Sequence, residues 1–511
     1  MIEYTPQSQL SLELFRHPFE QALDKENRWV KLASLIPWDS LAAVYCRKLD
    51  AGTGRKSVNI RTVIAALIVK HKLRLDDRGT VEMIQGNIYL QYFCGLKCFT
   101  TAPVFDPSLF VDIRKRLGGN EFDAFNRLVI EKSEELKPHQ SRIKKKESRE
   151  KSPEDESGED KKPGNRGTLK ADATVADQEI TYPTDLKLLN AARENLERMI
   201  DLVYLPCLDG TKPRDYRRLA RKDFLNVAKK KWKTSKEVRR GIKVQLQYVA
   251  RDMKIIGRLL SKPGRTELVG KRDKKLLSAI GQVYVQQRAM YDNKTHQCQN
   301  RIVNLFQPHV RPIVRGKDKN KVEFGAKVNI SEVNGFCRVG RLSWEAYNES
   351  VDMKMQVENY KQTYGCYPKV FLGDQIFLTR ENRKYMKEKG IEIYGKPLGR
   401  PPVQNAQTPI QRYRKKKKAA QRNHVEGKFG QGKRGYGLNR IMVRLSETSE
   451  SWINAIFFIM NLVKLLQVAE KWKGSFAFSL NAVKMHLKDW FGLLLSGKHF
   501  RPIQNIRFSY R

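Results

Sequence analysis

LKADATV, residues 169–175, alternates between apolar and polar side chains. Every second residue from Leu169 to Val175 is apolar, and Asp172 lies among the polar residues between them. An alternation with a period of two predicts a β-strand. We therefore expect a strand that holds Asp172 opposite a side of small apolar residues.

Further strands are expected downstream. Every second residue from Ala326 to Ile330 is apolar, and Asn334-Gly335 is a typical hairpin turn before a returning strand. In KVFLGD, residues 369–374, a short apolar run ends at Asp374. Because helical and strand patterns alternate after the hairpin, a mixed α/β sheet is predicted.

The domain organisation follows from changes in composition and period. Residues 140–166 contain one bulky aliphatic residue, Ile143, and no aromatic residue, so they cannot offset their ordering entropy by burial. Residues 185–310 are helical in pattern and strongly basic. We expect a helical N-terminal DNA-binding domain at 1–137, a disordered charged linker at 138–167, an α/β core at 168–184 and 315–470, a basic helical insertion at 185–314 and a C-terminal extension at 471–511.

The net charge points to a polyanionic partner. The 511 residues include 98 Lys and Arg against 55 Asp and Glu, a formal charge of +43, while 40% hydrophobic residues indicate a folded chain. Such a surplus suits the binding of polyphosphate, although charge alone also fits a solubility role. The candidate phosphate contacts lie in a basic helix end, in the basic insertion and in the run 414–418: Arg114, Lys115, Arg116, Lys229, Lys230, Lys231, Lys415 and Lys416.

Several other classes of protein are disfavoured. Seven scattered cysteines form no disulfide or zinc framework, and neither a Walker loop nor an HExxH motif is present. The longest uncharged apolar run, Ser451 to Val463, is shorter than the roughly 20 residues of a membrane helix. The first residues lack the features of a secretion signal. We therefore expect a cytoplasmic protein without a membrane partner.

Three carboxylates are candidates for chemistry: Asp172, Asp374 and Glu426. They are far apart in the chain, so only folding can bring them together. Carboxylate oxygens are preferred ligands of hard divalent cations, and two such ions can catalyse phosphoryl transfer. Judged on position alone, each acid is better explained as an ordinary surface or capping residue.

The region around Glu426 is more specific. Arg422, Glu426 and Lys433 are spaced i, i+4 and i+11, which places them within roughly 40° of one another on a helix. A carboxylate between two cations suits a site for metal and phosphate, and a salt-bridged helix face is the alternative. Five glycines between residues 427 and 437 disfavour a continuous helix here.

The order of three segments resembles the DDE transposases of bacterial insertion sequences, in the group with a Tyr-Arg-Glu-Lys signature. These segments are LKADATVADQEITYPTDLKLL, VFLGDQIFLTRENRKYMKEKGI and RNHVEGKFGQGKRGYGL, and FDPSLFVDIRKRLG is similar to the helical domain before the core. The resemblance covers residues 55 to 470. One departure is Ala419, which stands where the signature has Tyr.

The resemblance implies a fold and a reaction. The fold is an α/β ribonuclease-H-like core, a mixed sheet with flanking helices, interrupted by the helical insertion and preceded by an all-α domain. Asp172, Asp374 and Glu426 would bind two Mg²⁺ ions, with Mn²⁺ as a substitute, and catalyse cleavage and strand transfer. Arg422 and Lys433 would hold DNA phosphate.

The implied partners are double-stranded DNA, at the element ends and at the target, and a second copy of the chain in a synaptic homodimer. Two alternatives remain: a catalytically inactive DNA-binding relative and a ribonuclease-H-like nuclease.

Overall fold

The computed structural model describes residues 3–4, 6, 22–49, 56–136, 164–314, 322–395 and 409–495. Side chains 409, 411, 412, 414, 415, 419 and 473–495 lie outside this description. Most of the predicted linker, residues 138–163, also lies outside it.

The first part of the described chain is helical, as its sequence pattern predicts. Among the described residues, seven helices precede the first strand: α1 (Arg28–Leu35), α2 (Trp38–Cys46), α3 (Ile60–Leu73), α4 (Asp77–Gln85), α5 (Ile88–Phe93), α6 (Leu109–Arg116) and α7 (Gly119–Glu135). In α3 every residue from Ile60 to His71 is buried, so this helix lies at the centre of the group.

A mixed sheet of six strands forms the α/β part. The strands are β1 (Thr168–Asp177), β2 (Arg311–Val314), β3 (Val322–Val333), β4 (Phe336–Ser343), β5 (Val370–Leu372) and β6 (Glu392–Ile393). Their order is β2-β3-β1-β5-β6, with β4 also paired to β3. β1 is antiparallel to β3 and parallel to β5. The predicted strand at 169–175 is therefore a central strand of the predicted mixed sheet.

Glycine residues are required at two places along β3: in the turn that follows the strand and where the strand approaches β1. Asn334 and Gly335 both have positive φ, 53° and 90°, as the predicted hairpin turn between β3 and β4 requires. At Gly325 a Cβ atom would lie 1.9 Å from the carbonyl oxygen of Ala176, so only glycine permits the close approach of β3 to β1.

The chain between β1 and β2 is helical in the described structure. Its helices are α8 (Asp185–Val203), α9 (Pro206–Asp209), α10 (Arg217–Ala228), α11 (Ser235–Leu260) and α12 (Lys271–Asp292). They enclose an apolar cluster of their own, which includes Leu189, Val249 and Ile280. This cluster gives the inserted helices a core separate from that of the sheet.

The remaining helices complete the α/β part and extend beyond it. They are α13 (Met353–Tyr364), α14 (Arg380–Glu388), α15 (Pro409–Ala420), α16 (Asn423–Gly435) and α17 (Ser446–Leu495). α16 is continuous through the four glycines it contains. α17 is continuous across the predicted boundary between the core and the C-terminal extension at residues 470 and 471.

The N-terminal helices share an apolar core with the sheet and with α17. Phe122 and Phe125 of α7 contact Phe458 of α17, at centroid distances of 6.1 and 5.2 Å. The same cluster includes Ala176 of β1 and Val328 of β3. The N-terminal helices are therefore packed against the α/β part and do not stand apart from it.

One helix segment, Ser446–Trp472, is long and apolar enough to cross a membrane by length and composition alone. In this structure 67% of its most apolar window is buried inside the protein, so it has the environment of a core helix. The expectation of no membrane partner stays a prediction.

Candidate active site

Asp172 lies on β1, and Asp374 lies just past the end of the neighbouring parallel strand β5. β1 and β5 pair Thr168 with Val370 and Lys170 with Leu372, a constant offset of 202 positions. Asp172 and Asp374 differ by the same 202 positions, and Asp374 follows the end of β5. The register thus brings together two acids that the sequence keeps far apart.

The carboxyl group of Asp172 has a raised pKa. Burial is the main cause, and the nearby carboxylates of Asp374 and Glu349 add to it, which together raise the pKa to about 6. The backbone N–H of Ala173 donates a 2.8 Å hydrogen bond to Asp172 Oδ1 and opposes this effect, as does the positive charge of Arg422. A second positive charge beside Asp172 would favour its ionised form.

Arg422 links the other two acids. Its Nη1 donates a hydrogen bond to Asp374 Oδ1 at 2.5 Å, and its Nη2 donates one to Glu426 Oε1 at 2.9 Å. The Asp374 and Glu426 side chains are 57% and 49% exposed, so both carboxylates are accessible to a ligand. Arg422 immediately precedes α16, and Glu426 lies in its first turn, so the predicted i, i+4 pair forms.

Gly373 controls the path of the chain into Asp374. A Cβ atom at this position would lie 2.8 Å from the ring of Phe371 and 3.1 Å from the ring of Phe377. Both rings are completely buried. Because neither ring can move away freely, a residue without a side chain is needed between β5 and Asp374.

Lys433 does not join Arg422 at the acids. Its Nζ lies 3.4 Å from Asp177 and 3.6 Å from Glu323, at the far end of β1. Seven residues of helix separate it from Glu426, about 10 Å along the axis. The helix that the spacing predicts is present, but Lys433 lies beside a second pair of acids.

Glu349 is a neighbour of Asp172 that sequence reasoning missed. Its charge raises the pKa of Asp172, and it forms a 2.7 Å ion pair with Lys327 of β3. Glu349 lies in a single helical turn before α13, with 15% of its side chain exposed. No sequence period distinguishes it, so only the fold reveals it.

The side chains of Asp172, Asp374 and Glu426 are chemically suitable ligands for a divalent cation. The charge of Asp374 acts on Asp172, and the guanidinium of Arg422 connects Asp374 to Glu426. The possible metal ligands are therefore all carboxylate oxygens, which Mg²⁺ prefers. Among the described residues no three His, Cys, Asp or Glu side chains are grouped closely enough to hold one metal ion. Arg422 supplies the positive charge between Asp374 and Glu426 in this structure.

Arg114 is buried and paired with an acid of another helix. Its guanidinium donates two hydrogen bonds to the Asp77 carboxylate, at 2.8 and 2.9 Å, and only 5% of its side chain is exposed. Lys70 Nζ lies 2.8 Å from the same carboxylate. The DNA contact at Arg114 stays a prediction, and in this structure the residue belongs to a buried ion cluster that joins α3, α4 and α6.

The other predicted phosphate contacts remain accessible where they are described. Lys115 is half exposed, and Arg116 is partly buried beside the hydroxyl of Tyr45. Lys229, Lys230 and Lys231 are exposed after α10, and Lys230 is paired with Glu237. Lys416 is exposed on α15, whereas the side chain of Lys415 lies outside the described residues.

Two segments of the chain match known domain families. Residues 371–463, which contain Asp374, Arg422 and Glu426, match the Transposase DDE domain, and residues 17–116 match the Transposase domain (DUF772). Together the matches indicate a transposase of the DDE type, and such domains generally use divalent metal ions. Comparison with curated proteins and with solved structures gave no match.

Proposed function

We propose that this protein is a DNA transposase of a bacterial insertion sequence. Its chain matches two transposase domain families, one of them of the DDE type. It binds the terminal inverted repeats of the element. It then catalyses metal-dependent cleavage and strand transfer by in-line phosphoryl transfer. The observation that carries the proposal is Arg422, which connects Asp374 and Glu426 beside Asp172.

The finer assignment is to the group with a Tyr-Arg-Glu-Lys signature and a ribonuclease-H-like core. Arg422, Glu426 and Lys433 lie on one helical segment in the order of that signature, with Ala419 at the position of its Tyr. A mixed sheet with β1 at its centre supports such a core.

Asp172, Asp374 and Glu426 are the residues that would hold two Mg²⁺ ions, with Mn²⁺ as a substitute. When bound, such ions stabilise the charge that develops on the attacking and leaving oxygens of phosphoryl transfer. The protein contributes the placement of the acids. β1 carries Asp172, the neighbouring strand β5 leads into Asp374, and α16 positions Glu426.

The cations near the acids have a separate task. Arg422 limits the repulsion between Asp374 and Glu426, and its 28% exposed side chain can also contact a DNA phosphate. Lys433, further along α16, pairs with Asp177 and Glu323 and is the second proposed phosphate contact of this helix. Without such cations, three carboxylates would repel the phosphate backbone.

The partners follow from the reaction. Double-stranded DNA supplies both the element ends and the target, and joining two ends calls for a homodimer in the synaptic complex. Lys115, Arg116, Lys229, Lys230, Lys231, Lys415 and Lys416 are the proposed further phosphate contacts. The place of action is the bacterial cytoplasm, with the nucleoid DNA.

The direct experiment uses the full chain, a labelled duplex that carries the terminal inverted repeat beside the gene, and a target plasmid. With Mg²⁺ we expect cleavage at the repeat and joining of its 3′ end to the plasmid, and with EDTA neither product. Cleavage without joining would replace the proposal by a ribonuclease-H-like nuclease. Specific binding without either product would replace it by an inactive relative.

A further inference from the structure

We propose that a cleft between the inserted helices and the α/β part binds the phosphate backbone of double-stranded DNA. The cleft has a volume of about 600 Å³. It is lined by the start of α12, by Leu305, Phe306, Pro308 and His309, and by Arg444–Ser446, where α17 begins. None of the three proposed catalytic carboxylates lines it. The choice of DNA as the polyanion rests on the proposed function.

The charge of the cleft is entirely positive. Four of its lining residues are cations, no acid lines it, and all four cations are exposed: Lys271, Arg272, Lys275 and Arg444. Within the described part of the chain none of the four forms an ion pair. The acid next to them in sequence, Asp273, is held by Arg198 of α8 at 2.5 Å, and the charge of Arg272 also lowers its pKa. The charges of Lys271, Lys275 and Arg444 are left for a ligand.

The position of these cations is unfavourable for the helix that carries them. Lys271, Arg272 and Lys275 lie in the first turns of α12, where the helix dipole is positive and acidic residues are stabilising. Gly270, the residue before the helix, supplies no side chain that accepts from its free N–H groups. The cations thus do not serve the stability of α12, whereas a bound anion would relieve their repulsion.

The shape of the cleft favours an extended ligand over a single ion. Its cations come from two chain segments about 170 positions apart, Lys271 to Lys275 and Arg444, so they contact a ligand from two directions. Leu276 and Leu305 are buried at its base, and Phe306 is 48% exposed beside them. A DNA strand can present phosphates to the cations and its apolar sugar carbons to this base. Because the lining belongs to two parts of the fold, DNA bound here would hold the inserted helices against the core.

The test uses the full-length Lys271→Ala/Lys275→Ala variant. Its matched control is Lys384→Ala/Lys387→Ala, which removes the same charge from exposed positions on α14. Binding of each protein to a short labelled duplex is measured by fluorescence anisotropy in EDTA, from about 50 to about 200 mM salt. Each phosphate contact contributes about 0.9 to the slope of log affinity against log salt, so the cleft variant should lose about 1 to 2 from that slope. The control should keep the wild-type slope.

Thermal unfolding separates a binding defect from a folding defect. Removing two cations from the start of α12 should leave Tm unchanged or raise it. A wild-type slope in the cleft variant, or an equal loss in both variants, would overturn the proposal. The proposal would also be overturned if the cleft variant lost binding to a decaglutamate peptide while its salt slope for DNA stayed at the wild-type value. An acidic protein segment would then be the occupant of the cleft. If the wild-type protein bound no DNA, the proposed function would fail as well.

Discussion

Arg422 donates a 2.5 Å hydrogen bond to Asp374, although 48 positions separate the two residues in the chain. The bond joins the start of α16 to the end of β5. Since the same guanidinium also binds Glu426, it sets the relative positions of two of the three acids. The arrangement of the site therefore depends on Arg422 as well as on the acids themselves.

Replacing Arg422 by Gln should reduce the rate of DNA cleavage about 10- to 100-fold, as loss of a residue that orients metal ligands commonly does. The pKa of Asp172 should also rise, because Arg422 now lowers it. We therefore expect the acid limb of the pH–rate profile to move to higher pH, measured in single-turnover reactions. Arg440→Gln, which removes a surface pair with Glu179, is the control. An unchanged profile in Arg422→Gln would contradict this role.

Replacing Gly373 by Ala should destabilise the protein by about 1–3 kcal/mol, because the new methyl group overlaps the buried rings of Phe371 and Phe377. Cleavage should fall with it, since the following residue is Asp374. Thermal unfolding and the cleavage rate report the two effects. Gly427→Ala is the matched control: it lies in α16, and beyond the helix's own backbone no atom lies within 4 Å of the added carbon, so we expect equal or greater stability. Wild-type stability in Gly373→Ala would show that the rings can move.

Asp252 of α11 should make the stability of the inserted helices depend on pH. Its carboxylate is completely buried, neither oxygen has a hydrogen-bond partner, and burial together with Glu197 and Asp215 raises its pKa to about 7. Because the folded pKa lies above the unfolded value, ionisation destabilises the fold as pH rises from about 4 to 7. Asp252→Asn should therefore gain stability over wild type through this window, by at most about 1.4 kcal/mol per pH unit.

Asp201 supplies the control of opposite sign for that measurement. Its hydrogen bond with Arg217 is the main reason that its pKa falls to about 2. Its ionised form thus stabilises the fold above pH 4, and this contribution is lost as pH falls towards 2. Asp201→Asn should lose stability at neutral pH, measured by thermal unfolding at several pH values. A gain for Asp252→Asn that does not change between pH 5 and 8 would contradict the assignment.

Local features of this fold could be predicted from the sequence. The period-two pattern around Asp172 became β1, the Asn334-Gly335 turn joins β3 to β4, and Glu426 lies on a helix with Arg422. Each of these depends on residues close together in the chain. Local patterning and turn chemistry are therefore sufficient for them.

The relations between distant residues could not be predicted in this way. The alignment of Asp172 with Asp374 depends on the β1–β5 register. Glu349 comes close enough to affect the pKa of Asp172 only because the chain is folded. The sequence places Arg114 as a cation at a helix end, but in the fold it is buried and paired with Asp77 of another helix. Charge in a sequence does not reveal which cations already have partners.

Strand transfer by Asp374→Asn protein tests the central claim most directly. The substitution keeps the shape of the side chain and removes the charge beside Asp172. With Mg²⁺ and a precleaved element end, we expect joining to a target plasmid to fall about 10³-fold or more, while duplex binding in EDTA stays at the wild-type level. Glu388→Gln, an exposed acid in the last turn of α14, should join DNA like wild type. Strand transfer by Asp374→Asn at the wild-type rate would contradict a transposase that acts through these carboxylates.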